Sequence, residues 1–107
     1  MTWEQKLQAM KAIADHKLIM RKPGDWYVNA PIEVGGGGVL VSMFGQGTTP
    51  EMAVNDHWAQ LVENLPSDRY ITGGNPGHSK CVRWNGFMWE DASHMRRPLS
   101  RAKGETT

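Results

Sequence analysis

A chain of 107 residues, 39% hydrophobic and 21% charged, is long enough for one hydrophobic core and too short for two, which excludes a multidomain organisation. The formal charge of +1 conceals an asymmetry: residues 1–22 carry five basic and two acidic groups, residues 96–107 four and one, and residues 23–95 three basic against eight acidic. The middle is therefore net −5 (3 minus 8), so only the two ends have the charge to attract a phosphate backbone.

Thr2 followed by Gln5 has the spacing of a capping box, and Trp3, Leu7, Met10 and Ala14 recur at helical intervals. The spacing predicts an amphipathic helix over roughly 3–20, with Ile13 and Leu18 widening the apolar stripe and Pro23-Gly24 as its stop. Lys6, Lys11, Lys17 and Arg21 populate the other side. From Trp26 to Val34 the period changes to two, with Trp26, Val28, Ala30, Ile32 and Val34 on one face. That is a half-buried strand, placed at an edge or bulged at Pro31, which has no N–H for a ladder. Gly35 to Gly38 read as a hairpin tip leading into a strand from Val39 to Phe44. A phosphate-binding loop would need a helix directly after the glycines, and here a strand follows.

Gly45-Gln46-Gly47-Thr48-Thr49-Pro50-Glu51 leaves a strand and enters a helix: Thr49 caps, Pro50 takes the first turn, and Glu51 meets the positive end of the dipole. The helix extends to about Asn64, with Val54, Trp58, Leu61 and Leu65 inward and Pro66 beyond its end. Arg69 to Thr72 form a short strand, and Gly73 to Gly77 an exposed loop. A hairpin follows over 80–91. Its Asn85-Gly86 pair reads as a two-residue turn that sets Trp84 opposite Phe87 and Val82 opposite Trp89, four side chains on one face. Residues 96–107 read as a disordered basic tail, leaving 1–95 as a single domain. The order α-β-β-α-β-β-β predicts an α+β two-layer sandwich, one antiparallel sheet with both helices on one face.

No residue pattern here names a reaction. The single cysteine, Cys81, excludes an intramolecular disulfide and suits a reducing compartment, and no apolar run is long enough for a signal peptide or a membrane span. A cytoplasmic location is the expectation. His78-Ser79-Lys80-Cys81, His57 and His94 are too few and too scattered for a tetrahedral metal site. Asp56 and His57 are neighbours on a helix and point in different directions, and Glu90 and Asp91 alternate faces on a strand. The expectation is a protein that is not an enzyme and takes no cofactor or metal.

Gly45, Gly47, Thr49 and Ala53, at a strand-to-helix junction after a helix and two strands, resemble the closing half of a double-stranded-RNA-binding domain. That resemblance implies phosphate-binding lysines at the start of the second helix, yet Val39 to Asp68 contains no lysine or arginine. The same turn also resembles the fold of HicB-type antitoxins, so it is a structural device shared by unrelated functions. Across residues 1–95 the chain is similar in style to small bacteriophage-encoded accessory proteins: one cysteine, five tryptophans, a Thr-Pro-Glu-x-Ala-Val helix start and an Arg-Trp-Asn-Gly-Phe-x-Trp hairpin. This resemblance implies a protein that binds a host protein and inhibits or modulates it.

The leading expectation is accordingly a non-enzymatic binding protein acting through Arg83, Trp84, Phe87, Trp89, Glu90 and Asp91, because Trp and Arg are enriched at interface centres. The acidic middle favours a basic partner surface, such as the nucleic-acid channel of a host enzyme. A second reading is a nucleic-acid-binding module using Lys6, Lys11, Lys17, Arg96, Arg97, Arg101 and Lys103, and a third is a small-molecule sequestering protein with a tryptophan-lined pocket. Homodimerisation is expected through an edge strand at 26–34 or through the aromatic hairpin.

Overall fold

The computed structural model describes residues 1–73 and 80–95, so the predicted basic tail and most of the 73–77 loop lie outside the described residues. Two helices, α1 (Trp3–Lys11) and α2 (Pro50–Trp58), pack with eight strands into an α+β fold. The strands are β1 (Lys17–Lys22), β2 (Asp25–Asn29), β3 (Ile32–Gly36), β4 (Val39–Ser42), β5 (Gly45–Gly47), β6 (Tyr70–Gly73), β7 (Lys80–Trp84) and β8 (Trp89–Asp91). The expected α+β class stands. The single sheet does not: the strands form two antiparallel sheets, ordered β1-β2-β5 and β4-β3-β6-β7-β8.

Helix α1 begins as its sequence requires, with Thr2 Oγ1 accepting from the Gln5 N–H and Gln5 Oε1 accepting from the Thr2 N–H. It stops at Lys11, nine residues short of the expected end, because Leu18 and Met20 gain more by pairing across the sheet with Val28 and Trp26. Pro23-Gly24, read as a helix stop, is the turn of that β1–β2 hairpin. Gly24 takes φ 77° behind the proline, as a type II turn demands of its third residue.

The two sheets share one bent ribbon. Residues 25–47 form a long hairpin whose tip, Gly37-Gly38, has φ of 60° and 84°, the left-handed pair of a primed turn. Its strands stay paired at both ends, but between Val28↔Gly45 and Glu33↔Ser42 the four residues 29–32 face only residues 43 and 44. The surplus is absorbed at Ala30-Pro31, where the Ile32 N–H donates back to the Ala30 carbonyl across the proline. The predicted strand over 26–34 is thus folded at Pro31 into β2 and β3, one in each sheet. Both are interior strands, so neither offers the free edge expected of this segment.

Helix α2 is capped by Thr49 Oγ1, 3.1 Å from the Met52 nitrogen, and carries Pro50 in its first turn. Its chain continues as a π-helical segment over Ala59–Glu63, close to the expected end at Asn64. Val54, Trp58 and Leu61 point into the core beside Leu7, Met10, Val28, Ile32 and Ile71. The helix lies directly on β5: a Cβ built on Gly45 would sit 2.4 Å from the Ala53 carbonyl oxygen, so no side chain fits there. Among the described residues no helix is long and apolar enough to cross a membrane.

Candidate binding surface

The aromatic hairpin closes one residue later than Asn-Gly suggests. Trp84 pairs with Trp89 and Val82 with Asp91, placing the loop at Gly86-Phe87 between the flanking Asn85 and Met88. The expected pairs Trp84–Phe87 and Val82–Trp89 are not formed. Asn85 decides this: its Oδ1 accepts from the backbone N–H of both Phe87 (2.8 Å) and Met88 (2.9 Å), and its own N–H donates to the Met88 carbonyl. Gly86 supplies the positive φ, 106°, at the first loop position. Moving the loop by one residue slides the partner strand by two, so Val82, Trp84 and Trp89 keep their common face while Phe87 is displaced into the turn.

Trp84 and Trp89 are half-buried and interlock with buried Trp58. The three rings meet edge to face, with centroids 5.1–6.2 Å apart. The Trp89 indole N–H donates to the Ala9 carbonyl at 2.7 Å, fastening the hairpin to the end of α1. These tryptophans hold the hairpin in place and complete the core. Beyond them stand Phe87, 89% exposed, and Met88, 60% exposed, on a turn whose backbone is already hydrogen-bonded.

The charged neighbours divide by face. Arg83 is half-buried on the opposite side of the sheet, its Nη1 donating to the Pro66 carbonyl at 2.9 Å and to the Arg69 carbonyl, so its guanidinium pins the chain before β6. Glu90, opposite Arg83, is exposed. Asp91 is exposed and accepts from the Ser93 hydroxyl at 2.6 Å and from the Ser93 N–H, which hold its carboxyl below the usual carboxylate range.

The basic residues proposed for nucleic acid do not share one element. Lys6 donates to Asn55 Oδ1 at 3.0 Å, Lys11 is exposed at the end of α1, and Lys17 lies 3.6 Å from Asp15. Arg96, Arg97, Arg101 and Lys103 lie outside the described residues.

A pair that sequence reasoning missed lies beneath the surface. His16, after α1, and His57, on α2, are 2% and 0% exposed, with their Nε2 atoms 3.2 Å apart. His16 Nδ1 lies 3.0 Å from the Ala14 carbonyl, which can only accept, so this nitrogen carries the proton. His16 Nε2 is then the acceptor and His57 Nε2–H the donor, which leaves His57 Nδ1 without a hydrogen-bond partner. Burial first, then the neighbouring His16, push the His57 imidazole down to about 4, and burial lowers His16 as well. Buried from solvent, the pair joins the segment that follows α1 to α2. The two histidines are 41 residues apart in sequence, and no local pattern connects them. Among the described residues no group of three or more His, Cys, Asp or Glu could hold a metal ion. Compared with protein-family models, curated proteins and solved structures, the chain matches none.

Proposed function

We propose that this is a non-enzymatic binding protein, phage-derived in character, that engages a host protein through the tip of the β7–β8 hairpin and inhibits or modulates it. The carrying observation is the exposure of Phe87 on a turn held by Asn85 and anchored through Trp84 and Trp89 to both helices. An aromatic presented on a rigid turn loses little conformational freedom on binding, which favours its use as an interface anchor. Glu90 and Asp91 add an acidic rim suited to a basic partner surface, such as a nucleic-acid channel. The resemblance to small phage accessory proteins supports the class of partner.

The experiment is a pull-down from bacterial lysate with tagged protein, run with and without nuclease. The reading expects one stoichiometric protein that survives nuclease, is released by 1 M salt, and is lost on Glu90→Lys/Asp91→Lys. Retention of nuclease-sensitive material alone would transfer the function to the basic ends.

A further inference from the structure

We propose that two copies of this chain join their five-stranded sheets edge to edge through β4, forming a twofold dimer. Among the described residues the two sheets have four free edges, β1 and β5 in one and β4 and β8 in the other. Natural edges are guarded against pairing by charge, brevity or cover. Strand β1 carries Lys17, Arg21 and Lys22, β5 is three residues long beneath α2, and β8 is three residues long with Glu90 and Asp91. Among the described residues, strand β4, Val39-Leu40-Val41-Ser42, has none of these guards. Every residue in it is exposed, and no charged residue occurs from Val34 to Pro50.

The edge is also preorganised. The primed Gly37-Gly38 turn fixes it, and β4 pairs along its whole length with β3, itself an interior strand. Gly36 and Val39 flank a two-residue turn, so they form a hydrogen-bonded pair. Alternation then turns the main-chain groups of Val41 toward β3 and those of Leu40 and Ser42 outward. Antiparallel pairing about a twofold axis at Val41 matches Leu40 with Ser42 of the second copy, and Ser42 with Leu40. Both outward-facing residues are thereby satisfied, and the core face of each sheet continues from Val34 through Val41 into the second copy.

The occupant is a second copy because the strand is its own complement. Val41 meets Val41 at the axis, the small neutral Ser42 leaves room for Leu40 opposite it, and the absence of charge removes the repulsion that two copies of an otherwise acidic middle segment would feel. Val39, Leu40, Val41 and Phe44 are 45–52% exposed. They present on the order of 350 Å² of apolar surface, about half of what each side of a standard interface contributes. An interface of that size suits a weak, concentration-dependent dimer.

The test is sedimentation equilibrium of the full chain from about 1 to 500 μM, together with two variants. The expected result is a concentration-dependent monomer–dimer equilibrium, weakened about 100-fold by Val41→Lys, which sets two like charges against each other at the axis. Val41→Cys should form a reducible disulfide dimer on mild oxidation, since directly opposed residues of a non-hydrogen-bonded pair lie within disulfide range. A wild-type chain that stays monomeric throughout, or a dimer that Val41→Lys leaves intact, overturns the proposal. Should Val41→Lys fail to fold, a wild-type dimer that gives no cross-link through Val41→Cys overturns it equally.

Discussion

Lowering the pH from 8 to 5 should remove about 2 kcal/mol of folding free energy through His57 alone. In the folded protein this imidazole titrates at about 4 against 6.5 for an unburied histidine, so the unfolded chain binds the proton more tightly. Stability is fully present above about pH 6.5 and falls as the pH drops toward 4; the full difference of 2.5 units corresponds to roughly 3 kcal/mol at about 1.4 kcal/mol per unit. The loss expected by pH 5 is smaller because the folded state has not yet begun to take up the proton. His16, lowered in the same direction by burial, deepens the effect. The window between pH 7 and 5 is diagnostic, since carboxylates titrate mostly below it, at about 4. Urea denaturation at half-unit pH steps measures the slope, and His57→Gln, which cannot titrate, serves as the control. The reasoning is refuted if wild-type stability is flat between pH 7 and 5, or if His57→Gln retains the full slope.

Three further outcomes follow from the geometry. Gly45→Ala should cost more than about 2 kcal/mol, because the added methyl meets the Ala53 carbonyl and the helix cannot recede without opening the core; chemical denaturation checks this. Trp89→Phe should cost about 1–3 kcal/mol by leaving the Ala9 carbonyl without its indole donor, seen as a lowered thermal midpoint. Asn85→Ala removes both hydrogen bonds that shape the tip, and should cost about 1 kcal/mol in stability and weaken capture of a protein partner more than tenfold.

Signals confined to a few neighbouring residues were legible in the sequence. The capping box at Thr2, the Thr49-Pro50 helix start and the inward stripe of α2 all form as read. Signals that depend on a distant partner were not. Residues 17–22 continue a plausible helical stripe, and only their pairing with β2 makes them a strand. The alternation from Trp26 to Val34 correctly gave the buried face, but a period-two pattern does not reveal that Pro31 transfers the chain between sheets. At the hairpin, Asn-Gly identified the turn but placed the loop one residue early and the strand register two residues off, because the Asn85 side chain caps the loop instead of entering it. That shift turned an expected aromatic platform into two anchoring tryptophans and one exposed phenylalanine.

The most direct test of the binding reading compares wild-type protein with Phe87→Ala for affinity toward the partner recovered from lysate, after circular dichroism shows that both are folded alike. A loss of more than tenfold on removing a side chain that is 89% exposed is the predicted result. Equal affinity of the two proteins would contradict the account, since the tip would then present its most exposed aromatic to nothing.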